Sequence, residues 1–206
     1  LFGGGSTVAP WRDDPRVQIH GPGQSKVIIG EDKIEAWADY IEVMADSVAI
    51  NGGRSCVNAS SVWVPSKGRE IVEALAAKLA ELVPRSLDDP AAGLAAFLNP
   101  PFAEAISKSI DAQLRQEGAE DVTQRLCTDR LQVFEGMTFL IPTVVQREPQ
   151  HALADTELLF TFASVVEVAQ DELLDAIGPS LAVTAITEDE AFIDRLLASP
   201  KVERLN

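Results

Sequence analysis

The feature that most limits the fold is an alternation of short β-branched runs with segments whose apolar residues recur at helical spacing. Val27-Ile28-Ile29 is an apolar run stopped by Gly30. Glu31 and Asp32 follow as helix-start carboxylates. Ile34, Trp37, Ala38, Ile41, Met44, Ala45, Val48 and Ala49 then mark one helix face as far as Ile50. Asn51-Gly52-Gly53 stops that helix, and Val57 to Val64, rich in Val, Ser and Trp and closed by Pro65, reads as a buried strand. Ile71, Val72, Leu75, Leu79 and Leu82 then set a second amphipathic helix over Arg69 to Leu82, stopped before Pro84. Strands alternating with helices predict an α/β fold: a mostly parallel sheet covered by helices.

The rest of the chain continues the pattern less regularly. Leu1-Phe2 reads as a strand end running into the glycine turn Gly3-Gly4-Gly5-Ser6-Thr7, and Val17-Gln18-Ile19 as a short strand before the turn Gly21-Pro22-Gly23. Prolines break Pro84 to Pro101 into loop, with one helical turn near Leu94 to Leu98. Phe102 to Glu117 is a helix with Ile106, Ile110 and Leu114 on one face and Gly118 as its C-cap. Leu131 to Phe134 and Phe139 to Ile141 bracket Gly136 as a hairpin or bend, and Pro142 to Val145 continues extended. Leu158 to Val168 is a central strand, Asp171 to Ile177 a short helix, Leu181 to Thr187 another strand and Glu188 to Leu197 a last helix.

Composition bounds the partners. The chain has 206 residues, 46% of them hydrophobic, enough for a sizeable packed core. Lys and Arg number 17 against 32 Asp and Glu, a formal net charge of -15. Such a chain repels phosphate backbones and anionic lipid surfaces, so neither nucleic acid nor membrane is an expected partner. No apolar run approaches the roughly 20 residues of a membrane span. Two cysteines, Cys56 and Cys127, are too few for a disulfide scaffold and fit a reducing, cytoplasmic setting with a thiol free for chemistry. Two histidines, His20 and His151, argue against an all-protein zinc site, and no metal is expected. The chain begins Leu1-Phe2 without Met and stops at Leu205-Asn206, which reads as a piece of a longer protein.

The strongest local signal is Asn51-Gly52-Gly53-Arg54-Ser55-Cys56, a cysteine on a glycine-rich turn between a helix end and a buried strand. A thiolate there is a good nucleophile, Arg54 could favour it, and nearby amides could hold an oxyanion. A buried, inert cysteine is the alternative. His20, just before Gly21-Pro22-Gly23, is a candidate general base because imidazole titrates near neutral pH; a strand-end histidine without chemistry is its alternative. Cys127 and His151 sit in polar stretches and read as incidental.

Gly21 to Leu82 resembles the aldehyde dehydrogenase superfamily. The family runs from a strand through a Gly-Gly-Lys-Ser-like turn, a strand and a long helix to an Asn-x-Gly-x-x-Cys box and another strand. Here these are Gly21-Pro22-Gly23-Gln24-Ser25-Lys26, Val27-Ile28-Ile29, the helix to Ile50, and Asn51 to Cys56. The resemblance implies that Cys56 is the catalytic cysteine. Phe2-Gly3-Gly4-Gly5-Ser6-Thr7 is similar to the turn beside the nicotinamide cofactor, which assigns Gly5 and Ser6 to cofactor binding. Pro142-Thr143-Val144 matches a Pro-Thr-Val strand, Thr156-Glu157-Leu158-Leu159 matches a Glu-Glu-Ile-Phe motif that places Glu157 on the cofactor ribose, and Gly178 to Thr187 resembles a Tyr-Gly-Leu-Thr-Ala strand.

The resemblance therefore implies oxidation of a small-molecule aldehyde by NAD or NADP through a thiohemiacetal and a thioester on Cys56. Residues 1–18 would end the cofactor-binding domain and residues 19–206 form the catalytic thiol domain, incomplete at its C-terminus, in a homo-oligomer. The family's hydrolytic members carry a general-base Glu where this chain has His20, or Gly21 if the gap falls differently. The motif's Phe-Gly-Pro is also absent after Glu157, where Leu159-Phe160-Thr161 stands. The helix after the Gly-Ser-Thr turn is shortened to Ala9-Pro10-Trp11-Arg12-Asp13-Asp14, and the missing glutamate and shortened helix resemble the acylating and acyl-CoA-reducing branches, in which coenzyme A takes the acyl group. A non-catalytic oligomerisation or binding fragment is the remaining alternative, and the isolated piece is expected to be inactive.

Overall fold

In the computed structural model, the described residues are all of 1–206 except Phe2, Thr128 and Asp155; the side chain of Ser6 is also outside the description. A six-stranded sheet forms the centre. Its strands are β1 (Ser25–Ile29), β2 (Ala59–Val64), β3 (Ala119–Asp121), β6 (Thr143–Arg147), β7 (Phe162–Glu167) and β8 (Val183–Ile186), in the order β3-β6-β7-β2-β1-β8. A separate antiparallel hairpin joins β4 (Leu131–Phe134) to β5 (Met137–Leu140). The helices are α1 (Gly5–Val8), α2 (Ile41–Ala49), α3 (Gly68–Leu79), α4 (Pro100–Leu114), α5 (Leu173–Ala176) and α6 (Glu190–Ala198).

Every pairing from β6 to β8 is parallel, and only β3 runs antiparallel, on β6. The reason is in the side chains. β1, β2 and most of β7 are buried residue after residue, which requires cover on both faces. Val27, Ile29, Val62, Val64 and Val165 face one side, where Met44, Val48, Ile71, Leu75 and Leu79 of α2 and α3 meet them. Ile28, Trp63, Val166 and Val183 face the other, against Leu173 of α5, Ile177, and Phe192 and Leu196 of α6. The strand period of two thus feeds two cores at once. Burying each such side chain fully contributes about 1.5–3 kcal/mol. A third cluster, with Ile106 and Ile110 of α4 and Leu140, Phe160 and Phe162, sits under the hairpin.

Several sequence expectations change in the structure. Val17 to Ile19 is not assigned as a strand; the segment is tied to the chain start by the Leu1 ammonium donating to Gln18 O at 2.7 Å, His20 N–H to Leu1 O at 2.8 Å and Gly3 N–H to His20 O at 3.1 Å. The long helix begins as a 3-10 turn over Ile34–Tyr40, kinked at Ala36. Ile34, Trp37 and Tyr40 recur every third residue, the period that lines up one face of a 3-10 helix against the core. Leu94 to Leu98 is not a helical turn: Phe97 N–H donates to Thr138 O at 2.7 Å and pairs with the hairpin. The strand expected from Leu158 starts only at Phe162, because Phe160 and Thr161 wrap the glycine turn at Gly53. Ala119–Asp121 is an edge strand, its Glu120 paired with Arg69 and Arg125.

Candidate active site

α2 ends at Ala49, and the chain then turns through Asn51, Gly52 and Gly53, all with positive φ. Glycine is required at Gly53, where an added Cβ would lie 2.5 Å from Thr161 N. The turn delivers residues 55–58 to the start of β2, and Asn58 locks them there. Its Oδ1 accepts from Ser55 N–H at 2.8 Å, and its Nδ2 donates to Ser47 O and Ile50 O at 3.2 and 3.0 Å. Asn58 is buried. Cys56 is half-buried, and among the described residues nothing accepts a bond from the Cys56 amide.

Cys56 lies at the amino ends of the parallel strands, beside the turn that leads into β1. Gly23 packs against it so closely that a Cβ there would fall 1.9 Å from Cys56 O. Ser25 Oγ donates to the same carbonyl at 2.8 Å and accepts from Ala182 N–H at 3.2 Å. A cavity of about 180 Å³ opens here, lined by His20, Gly23, Gln24, Cys56, Ser180 and Glu203 among others. His20 and Cys56 thus line one cavity, and the His20 carbonyl accepts from Gly3 N–H. Gly4 and Gly5 face open space, but the turn expected over Gly3 to Thr7 gives way to helix, since Gly5 opens α1 (Gly5–Val8); the Ser6 side chain and Phe2 lie outside the described residues.

Glu157 reaches this cluster from the segment before β7. Its Oε2 accepts from Gly23 N–H at 2.8 Å and Gln24 N–H at 2.7 Å. Burial raises its carboxyl pKa; the two amide bonds and the charge of Lys26 pull the other way without cancelling the rise. Lys26 is a buried cation whose Nζ donates to Gln24 O and Ser180 Oγ, each at 2.8 Å. Sequence reading passed over both Lys26 and Asn58. The one signal was a lysine in the second place of a strand otherwise apolar after its first residue.

Arg54 is engaged away from the thiol it was expected to assist. Its guanidinium donates to Leu159 O, Ala95 O and Ala96 O and lies 4.5 Å from the centre of the Phe97 ring. Cys127 contacts Gln132 Nε2 through sulfur, and His151 is buried, its Nδ1 accepting from Leu153 N–H at 3.1 Å. A larger cavity, about 340 Å³, surrounds Arg130 near the hairpin and shares no lining residue with the Cys56 cavity. Arg130 is already paired there with Asp111 and Asp121, both at 2.7 Å. Among the described residues no group of three or more His, Cys, Asp or Glu is placed to hold a metal ion.

Comparison with known proteins supplies the frame for these groups. The model described as the aldehyde dehydrogenase family matches residues 9–177. The chain belongs to the aldehyde dehydrogenase family. No curated protein sequence matches it. Among solved structures, a variant of the aldehyde dehydrogenase from Bacillus cereus aligns with a TM-score of 0.80 at 18% identity, covering 98% of this chain and 42% of that one. The aldehyde dehydrogenase KauB from Pseudomonas aeruginosa gives 0.79 at 19% identity, over 99% of this chain and 43% of its own. The gamma-glutamyl-gamma-aminobutyraldehyde dehydrogenase from Burkholderia cenocepacia gives 0.77 at 20% identity, over 91% and 38%. The chain thus spans about two fifths of these aldehyde dehydrogenases, and the α/β sheet covered by helices is the fold it shares with them.

Proposed function

We propose that the protein works in the oxidation of a small aldehyde, with Cys56 as nucleophile and NAD or NADP as oxidant. The observation that supports this is that Cys56, half-buried and with a backbone amide that bonds to no acceptor among the described residues, lines one cavity with His20. The Cys56 thiolate adds to the carbonyl carbon, forming a C–S bond as the carbonyl π pair moves onto oxygen. The Cys56 N–H donates to that oxyanion. A nicotinamide cofactor, when bound, supplies the acceptor for the hydride whose departure leaves a thioester on Cys56. His20 takes a proton from water as it attacks the thioester; the acid leaves and the thiol is restored.

The fit to a dinucleotide is partial. The cavity of about 180 Å³ is below the roughly 300–1,000 Å³ of sites that enclose a drug-sized ligand, so it suits an aldehyde or one ring of the cofactor. The open backbone at Gly4 and Gly5 suits close approach by the same ring, with Gly5 and Ser6 as cofactor contacts. Glu157 would meet the ribose through Oε1, since Oε2 holds two amides. In this reading residues 1–18 close the cofactor domain and residues 19–206 belong to the thiol domain.

The imidazole at His20, where hydrolytic relatives carry a carboxylate, favours a second reading in which coenzyme A takes the acyl group. Single-turnover formation of reduced cofactor, with a panel of aldehydes and with or without coenzyme A, separates the two. Cys56→Ser is expected to abolish the first turnover. In the hydrolytic reading His20→Ala leaves that turnover intact and slows the following ones by about 10²–10⁴-fold. Stalling after one equivalent until coenzyme A is added would select the second reading. No reaction with any aldehyde, together with an unreactive Cys56, would leave a binding or oligomerisation role.

A further inference from the structure

Gln24 has φ +46°, a left-handed backbone that residues other than glycine, asparagine and aspartate rarely adopt. Both ends of its backbone are held by charged side chains. Its N–H donates to Glu157 Oε2 at 2.7 Å, and its carbonyl accepts from Lys26 Nζ at 2.8 Å. Hydrogen bonds to ionised groups are the stronger kind. Lys26 is 2% exposed, and its further contacts to Ser180 Oγ and Pro179 O anchor it to the segment before β8. Glu157 comes from the segment before β7 and also holds Gly23 N–H.

The residues on either side of Gln24 are the ones that touch the thiol's backbone. Gly23 lies against Cys56 O, and Ser25 Oγ bonds to that same oxygen. A shift of Gln24 therefore moves both supports of Cys56 together. We propose that Glu157 and Lys26 are positioning residues that grip Gln24 from its two ends and so set the place of the Cys56 thiol. This rests on Cys56 being the nucleophile and deepens that reading. It gives Glu157 a task that holds with or without a cofactor, and gives one to Lys26, which motif matching leaves idle.

The test is alkylation of Cys56 by iodoacetamide across neutral and mildly alkaline pH. It uses the full chain carrying Cys127→Ser, with adducts read by intact mass and folding by circular dichroism. Glu157→Ala and Lys26→Met are each expected to slow alkylation by about tenfold, short of the roughly 100-fold that an ångström of misplacement brings to a catalytic step, and to displace its pH midpoint. Glu157→Gln keeps an oxygen for both amides and is expected to stay within a few-fold of the parent. Gln24→Gly added to Glu157→Ala is expected to recover part of the rate, because glycine takes the left-handed backbone freely; it also serves if Glu157→Ala alone folds poorly. Folded Glu157→Ala and Lys26→Met chains that match the parent in rate and pH midpoint would overturn the proposal while leaving Cys56 as nucleophile. A folded double variant without recovery would overturn it as well. A parent Cys56 no faster than an unfolded cysteine would remove the nucleophile reading and this proposal with it.

Discussion

Replacing Gly23 by alanine tests the contact on which the site depends. The added Cβ would sit 1.9 Å from Cys56 O and 2.8 Å from Cys56 C, whereas real Cβ contacts stay beyond 3.0 Å. The two segments must therefore part by about 1.1 Å, the difference between those limits. The obstacle is backbone, so no side-chain rotation relieves it. Gly23 does not have positive φ, so the effect is steric and not one of backbone strain. Overpacking typically costs about 1–3 kcal/mol, and a backbone obstacle puts this change in the upper half of that range. In a chain of this size about 2–3 kcal/mol lowers Tm by roughly 4–12 °C. Misplacing a reacting atom by an ångström lowers a catalytic rate by roughly 100-fold; a free reagent needs less alignment, so Cys56 alkylation should fall by about tenfold in the folded variant. A thermal melt and the alkylation rate measure both effects. Gly4→Ala is the control, because nothing lies within 4 Å of its added Cβ, and its stability should change by less than about 0.5 kcal/mol. A Gly23→Ala chain with the parent's melting curve and alkylation rate would refute the argument.

Two further outcomes follow from buried charge. Arg130→Met removes the partner of Asp121, whose side chain is 4% exposed, and should cost about 3–5 kcal/mol in urea unfolding; a loss below about 1 kcal/mol would show that Thr123 and solvent suffice for that carboxylate. Glu157 has its carboxyl pKa raised above 4.5 by burial, so the folded chain holds that proton more tightly than the unfolded one. Its contribution is fully present below the unfolded value and is lost as pH rises through the folded one. The stability of the parent relative to Glu157→Gln should therefore fall as pH rises from acid to neutral, as read from paired urea midpoints; a difference that grows with pH would contradict the burial argument.

The sheet was legible where residues commit to one period. Val27 to Ile29, Ala59 to Val64 and Val183 to Ile186 form strands as expected, though Val57, counted into the second of them, is exposed and lies before it; the helices between them showed their apolar faces. Short or mixed stretches misled. Val17 to Ile19 alternates over too few residues to form a strand, and Ala119–Asp121 is a strand only because β6 offers it an edge. Cys56 and His20 stood out as candidates, one from its glycine turn and the other from its place before a turn, and the structure brings both to one cavity, which leaves their roles as proposals. What Glu157 touches was not readable, since its amide partners lie 133 and 134 residues away in sequence. Arg54 misled for a similar reason: sequence proximity to Cys56 lost to distant carbonyls that needed donors.

The thiol's place at the amino ends of the strands has a consequence for the speed at which ligands arrive. A helix that returns to the start of a parallel strand, as α2 does before β2, brings its carbonyl end with it, and that end carries partial negative charge. Asn58 engages two of those carbonyls, yet the surrounding chain still bears a net charge of -15. Anything negative that diffuses toward Cys56 climbs a repulsive potential that dissolved salt flattens. Encounter with a phosphate-bearing molecule should quicken as ionic strength rises, while a neutral aldehyde should arrive at the same rate in either medium.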